Sequence, residues 1–179
     1  MTAANVIRFV RTRREATVLA MLILVFLGLT FTSEFFLTGR NLSNVARQIS
    51  VVGIVALGQA LVIIAGGIDL SVGSVIGLSA VTGAIVSATT GMPSLGIVGA
   101  IGIGMAIGFT NGVLITKLRI NPFITTLATL SIGRGLAVHY SGGLTQSIDS
   151  DAFTALGRGH LLGIPFPVIA MLVLFVLAG

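Results

Sequence analysis

The sequence contains no cysteine and no tryptophan, one tyrosine, and one lysine, Lys117. Without cysteine there is neither a disulfide framework nor a thiolate metal site, and nothing to read about redox compartment. Charge is scarce too: 8% of the 179 residues are charged, against roughly 25% in an ordinary soluble domain. That excludes the soluble class. The two histidines, His139 and His160, are separated by a polar loop, and no G-x-S-x-G or H-E-x-x-H motif occurs. Hydrolase and zincin chemistry therefore lack their residues. No G-x-x-x-x-G-K-[ST] is present either, so ATP hydrolysis is left to a partner.

What the chain has in quantity is apolar sequence, 55% by composition. Its charges gather at the N-terminus, at Arg8, Arg11, Arg13, Arg14 and Glu15, and later ones fall mostly between apolar stretches. The net charge of +5 is dispersed beyond that cluster, which argues for helix orientation rather than a nucleic-acid surface. The apolar run Ala16–Thr32 exceeds the ~7–15 residues of a signal-peptide core. It is read as a retained first helix.

The expected architecture is all-α: a polytopic transmembrane helical bundle in a single domain over residues 1–179. A span needs ~20 predominantly apolar residues, because lipid cannot satisfy backbone polar groups. Five full spans are predicted, at Thr17–Ser33, Ile49–Gly66, Ser71–Thr89, Leu95–Thr116 and Pro122–Ser141. A partial one runs from Ile164 and is cut off at Gly179. With the N-terminus cytoplasmic, the inside holds Arg8, Arg11, Arg13, Arg14, Lys117 and Arg119, and the outside only Arg40, Arg47 and Arg158. This satisfies the positive-inside rule. Segment Glu34–Gln48 then faces outward, with "GRNLSNVARQ" as a short interfacial amphipathic piece capped by Asn41 or Ser43. The longest external loop, Gly142 to about Gly163, carries Asp149, Asp151, Arg158 and His160 and is placed to meet a soluble partner.

The stretch "AGGIDLSVGS", Ala65 to Ser74, sets a carboxylate between long apolar runs. An ionised group at the centre of a membrane helix costs ~2.5–3.5 kcal/mol. Gly66 and Gly67 argue that one helix stops there, and that Asp69 caps the next by accepting from the amides of Ser71 or Val72. Two readings stay open. Either Asp69 only caps a helix at a tight inner turn, or it belongs to a gate or path, since transporters place such breaks beside substrate. Ser71 and Ser74 share the stretch, and Gln59, Asn111 and Arg134 are further polar residues within spans. These six are the translocation-path or gate candidates. Interhelical hydrogen bonding is the plainer account of Gln59 and Asn111, and a mid-span Arg134 calls for a partner such as Asp69, or for water. Asn121-Pro122 reads as an N-cap followed by proline at the first helical position. Small residues recur every four positions: Gly73 with Gly77, Ser79 with Gly83 and Ser87, and Gly104 with Gly108 and Gly112. This spacing points to close helix packing.

"FLTGRNLSNVARQISVVGIVALG", "GQALVIIAGGIDLSVGSVIGLSA" and "GFTNGVLITKLRINPFITTLATLSIGRGLA" closely resemble the membrane-spanning permeases of ribose-type monosaccharide ABC importers. The resemblance covers nearly the whole chain, and the G-G-I-D-L-S-V-G-S run is its most specific part. It implies a bacterial inner-membrane permease that pairs with a second copy, docks a cytoplasmic ABC ATPase, and receives a sugar from a periplasmic or extracellular binding protein. It implies no cofactor, metal or catalytic residue in this chain. Members of that family are longer, and their ATPase-coupling loop lies in the second half, so the chain is expected to be the N-terminal portion of such a permease. Two other classes compete. A secondary transporter or channel for a small polar solute calls for several ion-coupling carboxylates or histidines within the membrane. A membrane-embedded enzyme calls for a nucleophile–base pair or a metal cluster.

Overall fold

The computed structural model describes residues 14–146, 148 and 150–178. Arg8, Arg11, Arg13, Asp149 and Gly179 lie outside the described residues. In order, the described elements are α1 (Arg14–Thr32), α2 (Gly39–Ile64), α3 (Val72–Thr90), α4 (Pro93–Thr116), α5 (Pro122–Ser141), α6 (Asp151–Arg158), β1 (His160–Leu161), β2 (Ile164–Pro165) and α7 (Phe166–Ala178). The fold is all-α apart from one minimal hairpin. Contacts divide the chain into two compact units, Met1–Ala46 and Arg47–Gly179, with α2 running unbroken through the division.

In the first unit, α1 is apolar on nearly every side, and Phe26 meets Phe36 edge-on with ring centroids 5.1 Å apart. The turn after it leads to Thr38, whose Oγ1 accepts from the Asn41 amide at 3.3 Å, while Asn41 Nδ2 donates to Phe36 O at 2.8 Å. Thr38, not Asn41 or Ser43, therefore caps the next helix. "GRNLSNVARQ" is no separate interfacial piece: its ten residues are the first turns of α2. The polar residues that seemed to set it apart cover the exposed start of a 26-residue helix, ~39 Å long.

The second unit is built around α3, which packs most extensively on α4 and next on α5. The α3–α4 contact is antiparallel and depends on missing side chains. A Cβ on Gly96 would meet Gly83 O at 2.5 Å and Ser87 Cβ at 2.9 Å. Gly104 lies opposite Ser79, whose Oγ would be 3.6 Å from its Cβ. The series Ser79–Gly83–Ser87 is thus the packing face of α3. A Cβ on Gly73, Gly77, Gly108 or Gly112 would meet nothing within 4 Å among the described residues. Four-residue spacing marks a face of a helix but not what lies against it.

Burial is inverted relative to a soluble domain. Ser50, Ser71, Ser87, Asn111, Thr125 and Thr126 are buried, while the large apolar side chains point outward, Phe109 being 75% exposed. Leu78, Ala84 and Pro165 are among the few enclosed apolar side chains of the described residues. Lipid is the solvent for such an exterior. Three described helices, α2, α3 and α4, are long and apolar enough to cross a membrane. Five full spans were expected. The described apolar part of α1 is the shorter Ala16–Thr32, and α5 has the length, 20 residues, with Thr125, Thr126, Ser131, Arg134 and His139 among its apolar residues.

The expected outer loop contains α6 and a hairpin pairing His160 with Pro165 and Leu161 with Ile164. Leu162 (φ 53°) and Gly163 (φ 82°) make its two-residue turn, and positive φ at both positions suits the strand twist. Arg47 on α2 holds this segment, donating from Nη2 to Arg158 O at 2.9 Å and lying 3.2 Å from His160 Nε2.

Candidate functional site

The site forms where α2 stops. Gly66 adopts φ 82° and its N–H reaches Ile63 O at 2.9 Å, while the Gly67 N–H reaches Val62 O at 2.9 Å. This paired 5→2 and 6→1 closure ends a helix and favours glycine at the left-handed position. Residues 67–71 then run without regular structure to α3.

Asp69 is half-buried in that segment. Its Oδ1 accepts twice from Ser71, from the amide at 2.7 Å and from the hydroxyl at 2.6 Å. Ser71, fully buried, occupies the N-cap position without a side-chain cap bond of its own. Asp69 therefore supports the helix start through Ser71 from two residues upstream, rather than standing at the cap itself. The amide it satisfies is one of those left open at any helix N-terminus.

From this turn a chain of donors crosses the bundle. Thr129 Oγ1 on α5 donates to Asn111 Oδ1 at 2.6 Å, Asn111 Nδ2 on α4 donates to Ser71 Oγ at 3.2 Å, and Ser71 Oγ donates to Asp69 Oδ1. Each hydroxyl or amide passes its hydrogen toward the carboxylate. Gln59 on α2 adds a bond from Nε2 to Asp69 O at 2.7 Å, and Thr126 Oγ1 on α5 lies 3.2 Å from Ile68 O. Ser74 Oγ donates to Ser71 O at 2.8 Å. Four helices are thus fastened to one irregular segment. Polar groups in such surroundings must be paired among themselves, since lipid offers no partner.

The structure brings together five of the six sequence candidates: Gln59, Asp69, Ser71, Ser74 and Asn111. Arg134 stands apart, eight residues beyond Thr126 on α5, ~12 Å along the helix axis. No ion pair joins it to Asp69 among the described residues; it lines a cleft of about 320 Å³ with Gly73, Ser74, Gly77 and Leu130. A second cleft of about 440 Å³ lies between α4 and α5, with Asn111, Thr125 and Thr129 among largely apolar walls. Sequence reading missed Thr126 and Thr129. Their spacing of three on α5 was the available signal, since it sets both hydroxyls on one face.

The turn also has a defined place in the bundle. Gly67 approaches Pro122 so closely that a Cβ on the glycine would lie 3.8 Å from the proline Cβ, and the turn therefore shares an end with the connection from α4 to α5. There Asn121 Oδ1 accepts from the Phe123 amide at 2.8 Å and Pro122 takes the first helical position, the expected cap. Lys117 and Arg119 lie in that same connection. Among the described residues no group of three or more His, Asp or Glu is placed to hold a metal ion. The arrangement offers hydrogen-bond donors and acceptors, without a nucleophile–base pair.

A family model described as "Branched-chain amino acid transport system / permease component" matches residues 41–178. The chain is 42% identical over 163 residues to the ribose import permease protein RbsC of Bacillus subtilis (strain 168), covering 89% of this chain and 50% of that protein. It is 37% identical to the L-arabinose ABC transporter permease protein AraH of Azospirillum brasilense, over 93% of this chain and 49% of the relative. Against the ribose import permease protein RbsC of Escherichia coli (strain K12) the figures are 36% identity, 92% and 52%. The chain spans about half the length of the curated relatives it matches. No solved structure matches it at a significant level. With its three spanning-length helices, outward apolar surface and match over most of its length, this multi-pass membrane chain belongs to the family of branched-chain amino acid transport system permease components.

Proposed function

We propose that the chain forms the membrane-spanning permease part of an ATP-driven ABC importer for a monosaccharide of the ribose or arabinose kind. One observation carries this: identities of 36–42% to sugar permeases extend over 89–93% of the chain. Sugar is preferred to amino acid because those relatives are named for ribose and arabinose, whereas the family description is broader. The chain has no nucleotide-binding motif, and ATP hydrolysis falls to a cytoplasmic ABC ATPase. A second permease copy and a periplasmic or extracellular sugar-binding protein complete the importer.

The membrane is the bacterial inner membrane, with the N-terminus cytoplasmic. Lys117 and Arg119 then lie inside, and the Asp69 turn, which shares their end of the bundle, sits at the inner mouth. Gln59, Asp69, Ser71, Ser74, Asn111 and Arg134 are the path or gate residues in this reading. The contribution is conformational: packed helices adopt two arrangements, and the partners shift the population between them. Pull-down of the tagged permease from its own membranes tests the assignment. An ATPase subunit should be recovered with it, and its reproducible absence while the permease supports sugar uptake would sink the proposal.

A further inference from the structure

The donor chain leaves one atom unused. Asp69 Oδ1 is saturated by the Ser71 amide and hydroxyl, whereas Oδ2 makes no hydrogen bond among the described residues and is not enclosed. The neighbouring polar atoms are committed. Ser71 Oγ receives Asn111 Nδ2, Asn111 Oδ1 receives Thr129 and Asp69 O receives Gln59. The carboxylate is thus held by one oxygen with its other oxygen unbonded and not enclosed, in a half-buried residue that follows the exposed Ile68 in the chain. A carboxylate oxygen is an acceptor only, and hydrogen bonds to a charged acceptor are stronger than neutral ones.

We propose that Asp69 Oδ2 accepts a hydroxyl of the transported sugar at one mouth of the bundle, and that Asn111, acting through Ser71, is the positioning residue that keeps this oxygen free. The ligand class is a polyhydroxylated neutral solute, which supplies hydroxyl donors without charge. A single contact of this kind suits a conduit, because a solute that must leave again cannot be held by many. Asn111 touches no ligand in this account. It fixes Ser71, and Ser71 occupies the inner oxygen of Asp69. This inference rests on the sugar-import reading.

The absence of cysteine makes the test direct. Ile68→Cys places a thiol next to Asp69 within residues 1–179, which otherwise hold none, and the reaction of that thiol with a small maleimide, located by peptide mapping, is timed in membranes carrying the intact permease, with and without D-ribose or L-arabinose. One of these sugars should slow labelling, and glycerol at the same concentration should not. Adding Asp69→Asn keeps an oxygen for Ser71 but puts a donor where Oδ2 stood. The half-protecting sugar concentration should then rise about tenfold, each variant being read against its own labelling rate without sugar. Asn111→Ala should raise it about fivefold, and the double substitution no further than Asp69→Asn alone. Sugar uptake without protection, or protection indifferent to Asp69→Asn, overturns the inference while leaving the import reading standing. Additive effects of the two substitutions overturn the positioning role of Asn111. If neither sugar is taken up by the unaltered permease, the import reading fails and this inference with it.

Discussion

Asn111 Nδ2 donates to Ser71 Oγ at 3.2 Å across 40 positions of sequence, and both side chains are buried. That bond joins the later turns of α4 to the residue that precedes α3. It also makes the helix break at Gly66–Ser71 a fixed part of the packing rather than a loose linker. Both partners carry a second bond, to Thr129 and to Asp69, so removing either one leaves others unmade.

Asp69→Ala should therefore cost more than Asp69→Asn. Alanine leaves the Ser71 amide and hydroxyl without their acceptor, for a loss of about 2–3 kcal/mol, whereas asparagine keeps an oxygen and loses only the charge, about 1 kcal/mol. Thermal unfolding of the purified permease in one detergent ranks the two. Equal losses would mean that Oδ1 contributes nothing to the start of α3.

The Asn111–Ser71 bond is measurable as a coupling. Asn111→Ala, Ser71→Ala and the double substitution, compared by unfolding, should show an interaction energy of about 0.6–1.7 kcal/mol, between the average and the largest value for interhelical hydrogen bonds in membrane bundles. Strict additivity would remove the bond from the account.

Glycines separate in the same assay. Gly96→Ala forces a methyl against Gly83 O and Ser87 Cβ, at 2.5 Å and 2.9 Å in the unrelaxed structure, and overpacking of this kind costs about 1–3 kcal/mol. Gly108→Ala meets open space and gains up to about 1 kcal/mol of helix propensity. If both substitutions act alike, the α3–α4 crossing is misplaced.

Much of this arrangement was legible in the sequence, and the parts that were not share a cause. Polar residues stand out in apolar runs, because each must find a partner or destabilise the fold; Gln59, Asp69, Ser71 and Asn111 could be picked out individually for that reason. Gly66-Gly67 and Asn121-Pro122 announced a helix end and a helix start through local backbone chemistry. Which residues meet was hidden. Thr126 and Thr129 looked like ordinary helical threonines, since such hydroxyls commonly return to their own backbone, as both also do here. Arg134 invited pairing with Asp69 by charge alone, and only the axial distance along α5 separates them. The early start of α2 was missed because Thr38, outside the quoted polar stretch, supplies the cap.

Arg47 gives a fourth test. Its bond to Arg158 O and its approach to His160 hold the segment containing α6 and the hairpin, so Arg47→Ala should speed tryptic cleavage after Arg158 several-fold in right-side-out or inverted vesicles, whichever exposes that face. An unchanged cleavage rate on both faces would show that this contact restrains nothing.

The central claim, an ATP-driven sugar permease, is tested most directly by uptake of labelled ribose and arabinose into cells producing the permease, with ATP and ion gradients depleted separately. Uptake of at least one sugar that stops when ATP is exhausted and persists when proton and sodium gradients are collapsed is the expected result. Uptake that follows an ion gradient and survives ATP depletion would contradict it and make the protein a secondary transporter.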